Sequence, residues 1–330
     1  LERADKKSKL PRYALLFIKV AVSSALLIYL FSKVGGMEVI RNFVMISPAG
    51  FVAAALLYIL ASYISSRRWR LFLPPGLGMR WIFSTYMIGA FFNVCLPSTI
   101  GGDAVKIFYM NKKLSEGAEP DRHGNRPSHA AMSVASVFMD RYIGLAALLC
   151  LGMAATLAGH DMLEKSPVLW LTPAIFLAFI IGSILFFRFR IGTRLRFVMN
   201  MYDYAAPYFR QKDIIVKGLL FSVVIQTVVV FSVYVLARGM GIDLPFLTFL
   251  LFVPLVSMIS LIPVSISGFG LREGSYVVLL GLVGVRPDLA MTLSIVHFLS
   301  VAVASLLGLI EYLRFKQLFG GGMKEETLKP

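Results

Sequence analysis

Three pairs of opposite charges interrupt otherwise apolar sequence: Asp103 with Lys106, Asp140 with Arg141, and Arg272 with Glu273. A charge at mid-bilayer costs about 2.5–3.5 kcal/mol on insertion scales, so each such residue needs a partner or water and marks a functional position by default. Lys106, Arg141 and Arg272 could together hold a phosphate, with Asp103, Asp140 and Glu273 orienting the cations or exchanging protons. The bland alternative is that three acids and three bases form structural ion pairs. Residue types alone leave both open.

Two breaks stand next to these charges: Leu96-Pro97-Ser98-Thr99-Ile100-Gly101-Gly102 before Asp103, and Pro263-Val264-Ser265-Ile266-Ser267-Gly268-Phe269-Gly270 before Arg272. Proline and glycine there interrupt helices, and helices starting near Gly101 and Gly268 would point free N–H groups and positive dipole ends at an anion. Ser98, Thr99, Ser265 and Ser267 supply hydroxyl donors. Aligned on their prolines, the breaks also match Ile100 with Ile266, Gly102 with Gly268 and Lys106 with Arg272.

The elements that carry these residues must be membrane helices. Hydrophobic residues make up 58% of the chain and charged ones 15%, with a mean hydropathy of +0.76, a balance outside the soluble range. Apolar runs recur at 13–31, 48–64, 145–157, 168–187, 214–236, 244–262 and 289–313, several long enough to span a bilayer. The run at 13–31 is too long for a signal peptide and reads as a retained first helix.

Basic clusters set the topology, because cytoplasmic loops concentrate Lys and Arg. Lys6, Lys7, Lys9 and Arg12 put residues 1–12 inside, as do Arg67, Arg68, Arg70 and Arg80 for the second loop. Lys112, Lys113, Arg122 and Arg126 put the next loop inside too, although one apolar stretch separates it from the previous one. A re-entrant hairpin over about 81–110, bent at the first break, resolves the conflict, and a second over about 244–285 enters from the opposite face. The expected fold is an all-α polytopic membrane protein with about six full transmembrane helices plus these two hairpins as an inverted repeat, N-in and C-in. A single transmembrane domain at 13–316 would follow the basic N-terminus and precede a flexible tail at 317–330. Residues 199–212 read as an interfacial helix or an ordinary loop.

The net charge of +15 lies in short clusters between apolar segments, which argues against a nucleic-acid partner and for anionic lipid. Cys95 and Cys150 lack metal or disulfide spacing and read as buried thiols. Trp69, Trp81 and Trp170 read as interface anchors, and Asn93, Gln226, His297 and Glu311 as interhelical hydrogen-bonding residues. No Walker A loop, GxSxG elbow or HExxH motif occurs, so no cofactor and no hydrolytic or ATP-driven chemistry is expected.

The segments from Asn93 to Lys106, Asp140-Arg141 with Gly144, and Pro263 to Gly274 resemble the flippase-like family of lysylphosphatidylglycerol synthase transmembrane regions, the membrane domain of the multiple peptide resistance factor. The resemblance spans nearly the whole chain. It implies movement of aminoacylated phosphatidylglycerol across the bilayer, and a lipid path lined by Asn93, Asp103, Lys106, Asp140, Arg141, Arg272 and Glu273. In two-domain members a separate cytoplasmic domain transfers the amino acid from aminoacyl-tRNA; that domain is expected to be missing here, so no enzyme activity is expected. Lys106 stands where the resemblance leads us to expect arginine in many relatives, keeping the charge but losing bidentate geometry.

The leading expectation is a translocase of an anionic or phosphate-bearing lipid, such as (aminoacyl-)phosphatidylglycerol or a polyprenyl-phosphate lipid, in the cytoplasmic membrane of a prokaryote. Two alternatives are the membrane subunit of a lipid or glycosyl transferase and an ion or small-solute secondary transporter. The candidate partners are the lipid itself, a second copy of the chain, and a separately encoded lipid-modifying enzyme.

Overall fold

The computed structural model describes residues 20–96, 101–115, 128–164, 166–188, 196–262, 264–265 and 268–320. Every regular element among the described residues is helical, the arrangement that satisfies each backbone group internally in lipid. The helices are α1 (Val20–Val34), α2 (Gly36–Asn42), α3 (Pro48–Arg70), α4 (Met79–Cys95), α5 (Gly101–Ser115), α6 (His129–Ala158), the single turn α7 (His160–Leu163), α8 (Val168–Phe187), α9 (Arg196–Arg210), α10 (Lys212–Gly239), α11 (Phe246–Ser260), α12 (Leu271–Gly281) and α13 (Pro287–Gly320).

Five of these, α3, α6, α8, α10 and α13, are long and apolar enough to cross a membrane, and α1 with its continuation makes a sixth if that pair, bent by 83°, is one span. The expectation of about six crossings therefore resolves into five or six among the described residues. Most of the segment at 199–212, read as an interfacial helix or a loop, is helical as part of α9, and α13 runs to Gly320, into the stretch read as a tail. Residues 13–19 of the expected first helix lie outside the described residues.

Contacts group the chain into two compact units: Leu1–Ala54, Leu151–Ile175 and Val230–Leu299 in one, Ala55–Cys150, Phe176–Val229 and Ser300–Pro330 in the other. The first holds the packed pair α11 and α12, the second the packed pair α4 and α5. The five long helices each contribute residues to both.

In the second unit, α4 and α5 run antiparallel, with Asn93 beside Gly102 and Gly89 beside Lys106. Their approach is close because neither glycine has a side chain: a Cβ on Gly102 would overlap the Gly89 carbonyl oxygen. Farther along, Ile82 and Met110 pack with Trp69, Leu73 and Val137. Phe72, Met139 and Ile143 enclose Ala205 of α9, whose Tyr204 hydroxyl donates to the Phe72 carbonyl at 3.2 Å. Burial, then the neighbouring Tyr208 hydroxyl, push the Tyr204 pKa well above the ordinary tyrosine range.

In the first unit, Phe249, Phe252, Leu255, Met258 and Leu279 are buried, and α11 meets the turn before α12 where Gly268 (φ +78°) lies against Ser260. The missing side chain of Gly152 leaves room for the Met258 sulfur.

Two expectations are corrected. Cys95 and Cys150 are both exposed, not buried; lipid is as apolar as a protein core, so apolar neighbours do not imply an interior position. Trp69 is fully buried and its Nε1 donates to Ser136 Oγ at 3.3 Å, so it is a core residue, whereas Trp170 is 78% exposed.

Candidate ion clusters at the helical hairpins

Helix α5 begins at Gly101, whose own Cβ would crowd Leu96, and the Gly102 N–H donates to Asn93 Oδ1 at 2.9 Å. One donor of this helix N-terminus is thus satisfied from the facing helix, an interhelical role for Asn93. Asp103 follows in the first turn, where a carboxylate is favoured by the helix dipole. Its Oδ1 lies 3.1 Å from Lys106 Nζ, one turn on.

Asp103 also receives Arg141 from α6. Arg141 Nε donates to both carboxylate oxygens, at 3.2 and 2.9 Å, and Nη2 donates to Oδ1 at 3.0 Å. One acid therefore serves two cations, leaving the cluster with one net positive charge. The two cations differ in access: the Lys106 side chain is 2% exposed and that of Arg141 50%. Lys106 Nζ stands 4.2 Å from the Tyr86 ring centroid and 5.8 Å from that of Trp69, and aromatic faces attract a desolvated cation. Its unbranched stem lies against Gly89, where a Cβ would be 2.7 Å from Cε.

Asp140 does not join this cluster. It accepts from Arg68 Nε at 2.8 Å, with side-chain exposures of 8% for Arg68 and 2% for Asp140, and Arg68 Nη1 donates to Ser222 Oγ at 2.8 Å. Arg68, which reads in sequence as a loop cation, is instead an internal ion-pair partner. Gly144, one turn after Asp140, makes the room: a Cβ there would sit 2.8 Å from Arg68 Nη1. Asp140 and Arg141 thus face different partners.

The first unit carries a second cluster. Arg272 Nη2 and Nε donate to Glu273 Oε1 at 2.6 and 3.1 Å. Ser294 Oγ accepts from Arg272 Nε at 3.2 Å and donates to Glu273 Oε1 at 3.3 Å. Glu273 Oε2 accepts the Gly270 N–H at 2.6 Å, closing the start of α12 on its own carboxylate. That helix starts at Leu271, three residues later than Gly268, after Gly270 at φ +86°. The Arg272 guanidinium carbon lies 5.3 and 4.9 Å from the ring centroids of Phe269 and Phe298.

Ser265 is buried, and its Oγ has no hydrogen-bond partner among the described residues. Ser98, Thr99 and Ser267 lie outside the described residues. The structure therefore brings together Asn93, Gly101, Gly102, Asp103, Lys106 and Arg141 in one unit and Ser294, Gly270, Arg272 and Glu273 in the other. Sequence reasoning misses Arg68, which sits in a run of basic residues that reads as a loop, and Tyr86, Ser294 and the two phenylalanines, residue types that are unremarkable in apolar sequence.

No cluster of His, Cys, Asp and Glu suited to a metal ion occurs among the described residues. A helical, multi-pass membrane protein that keeps paired charges buried beside two helical hairpins is the class these features define. The profile of the lysylphosphatidylglycerol synthase transmembrane region matches residues 16–308, and the chain belongs to that family. No curated protein sequence matches the chain.

Proposed function

We propose that the protein is a lipid translocase that moves an anionic or phosphate-bearing lipid across the cytoplasmic membrane of a prokaryote. The observation that carries this is the shared carboxylate of Asp103: Arg141, half exposed, is held by an acid that Lys106 also holds. A lipid phosphodiester can replace Asp103 on Arg141 with the same bidentate geometry. Asp103 then stays with Lys106, and the cluster, at one net positive charge before binding, becomes neutral with a monoanionic head group. Arg272 offers the corresponding cation in the other unit.

On this reading α4–α5 and α11–α12 are re-entrant hairpins of opposite orientation, forming an inverted repeat with both termini inside, as broken-helix transporters are built. The family's description supports a lipid ligand, since it names a phospholipid synthase. The translocase has no catalytic chemistry of its own, and its substrate class is (aminoacyl-)phosphatidylglycerol or a polyprenyl-phosphate lipid. Working partners are a second copy and a separately encoded lipid-modifying enzyme.

The test is head-group accessibility of labelled phosphatidylglycerol in proteoliposomes. Arg141→Ala should reduce flux to the protein-free rate with folding intact, and Arg141→Lys should retain only part of it, because a point charge loses the fork geometry. Wild-type rates in Arg141→Ala would remove the cluster from the path. The same family description favours one second reading, a membrane subunit of a lipid transferase; it gains if flux is absent and lipid modification by an added soluble transferase depends on this chain.

A further inference from the structure

Within the first unit, a groove of about 600 Å³ runs beside α1 and α12, inside the range of about 300–1,000 Å³ typical of ligand pockets. Its walls are built from residues one turn apart: Leu26 and Leu30 on α1, Leu271, Gly274 and Val278 on α12. The two helices touch at one end, where a Cβ on Gly270 would lie 2.6 Å from Leu26 Cβ. They are looser one turn on, where a Cβ on Gly274 would first meet Leu30 at 3.8 Å. Gly274 thus leaves a slot where any larger residue would leave a wall.

Lys33 is the one charged side chain lining the groove among the described residues. It is exposed, one turn beyond Tyr29, and has no ion-pair partner among the described residues. An apolar slot with a single free ammonium at its rim matches an amphiphile with one anionic group, since the ammonium would otherwise be wasted on a purely apolar occupant.

We propose that this groove holds one acyl chain of an anionic membrane lipid, with Lys33 at the phosphate. This rests on the lipid reading above and adds to it a tail-binding site separate from the Asp103–Lys106–Arg141 cluster. The fit is set by methylene contacts along Leu30, Gly274 and Val278, and the head-group preference by Lys33.

The full chain, reconstituted in vesicles of phosphatidylglycerol and phosphatidylcholine, is irradiated with a phosphatidylglycerol carrying a diazirine in its acyl chain, and labelled peptides are mapped. Labelling should concentrate on residues 26–34 and 271–278. Gly274→Leu, which fills the room of two or more methylenes, should reduce it about tenfold, and Val278→Trp at the rim provides an independent block should Gly274→Leu misfold. Lys33→Gln should erase the preference for phosphatidylglycerol over a phosphatidylcholine probe of the same chain.

Labelling spread along all lipid-facing helices and unchanged by both blocking variants would mean surrounding lipid only and overturn the site. A cross-link between the α1 or α12 segments of two copies would overturn it in favour of a dimer contact. Flux with no groove labelling leaves the translocase standing and removes the groove; groove labelling sensitive to Gly274→Leu without flux leaves the groove standing and removes the translocase.

Discussion

Removing Asp140 should separate structural charges from working ones. In Asp140→Ala, the Arg68 guanidinium, whose side chain is 8% exposed in the wild type, keeps Ser222 as its one remaining side-chain hydrogen-bond partner among the described residues. Breaking a buried pair on one side costs about 3–5 kcal/mol, because the surviving charge is left uncompensated. That is a drop of roughly two to three and a half powers of ten in the folding equilibrium. The double variant Arg68→Met with Asp140→Leu removes both charges, and the methionine can lie in the space over Gly144, so most of the loss should be recovered. Unfolding in mixed micelles, followed by circular dichroism for the wild type, Asp140→Ala, the single variants Arg68→Met and Asp140→Leu, and their double, gives both the loss and the coupling energy. A loss under about 1 kcal/mol in Asp140→Ala, the value of a pair that reaches water, would refute the reasoning. Lipid flux should return with the fold in the double variant; a folded double variant without flux would place Arg68 and Asp140 in the translocation machinery.

Two further outcomes follow from the second unit. Gly102→Ala should destabilise the protein by about 1–3 kcal/mol, the usual cost of overpacking, because its Cβ would overlap the Gly89 carbonyl oxygen rather than a movable side chain; thermal unfolding in detergent measures it, and an unchanged midpoint would mean α4 and α5 do not approach so closely. Because burial and Tyr208 raise the Tyr204 pKa, the folded state holds that proton more tightly than the unfolded chain. The resulting stabilisation is complete below the unfolded value of about 10 and is lost as pH rises through the folded value, so Tyr204→Phe should flatten the alkaline part of a stability–pH curve.

The breaks and the charged residues beside them are legible because both are costly in a membrane: proline and glycine interrupt backbone hydrogen bonds, and charges need partners. The pairing is not legible. Asp140 and Arg141 are adjacent in sequence but about 100° apart around α6, so their partners come from different sides, Arg68 for one and Asp103 for the other. Arg68 hides in Arg67-Arg68-Trp69-Arg70, a run that reads as a topology marker; Gly144, spaced one turn from Asp140, is the one local hint that something large fits there. Trp69 and Cys150 fail for a common reason. Hydropathy separates water from apolar surroundings but not lipid from core, and one residue proves internal while the other is exposed.

The two hairpins share a device more than a sequence. Gly102 and Gly268 align on the breaks but do different work, close helix approach in one case and a left-handed turn in the other. The aligned cations, Lys106 and Arg272, each rest on two aromatic rings and pair with one carboxylate, although that acid lies three residues before Lys106 and one after Arg272. Aromatic faces lower the cost of holding a cation away from water without neutralising it. A carboxylate can do so only by cancelling the charge. Combining both lets a hairpin keep its cation in place when the acid moves. In the second unit that acid also holds Arg141, the one member of the cluster with half its side chain exposed. On the proposed reading, exchange of a lipid phosphate for Asp103 at Arg141 would need no movement of Lys106, whose burial beside Gly89, Tyr86 and Trp69 keeps Asp103 beside it.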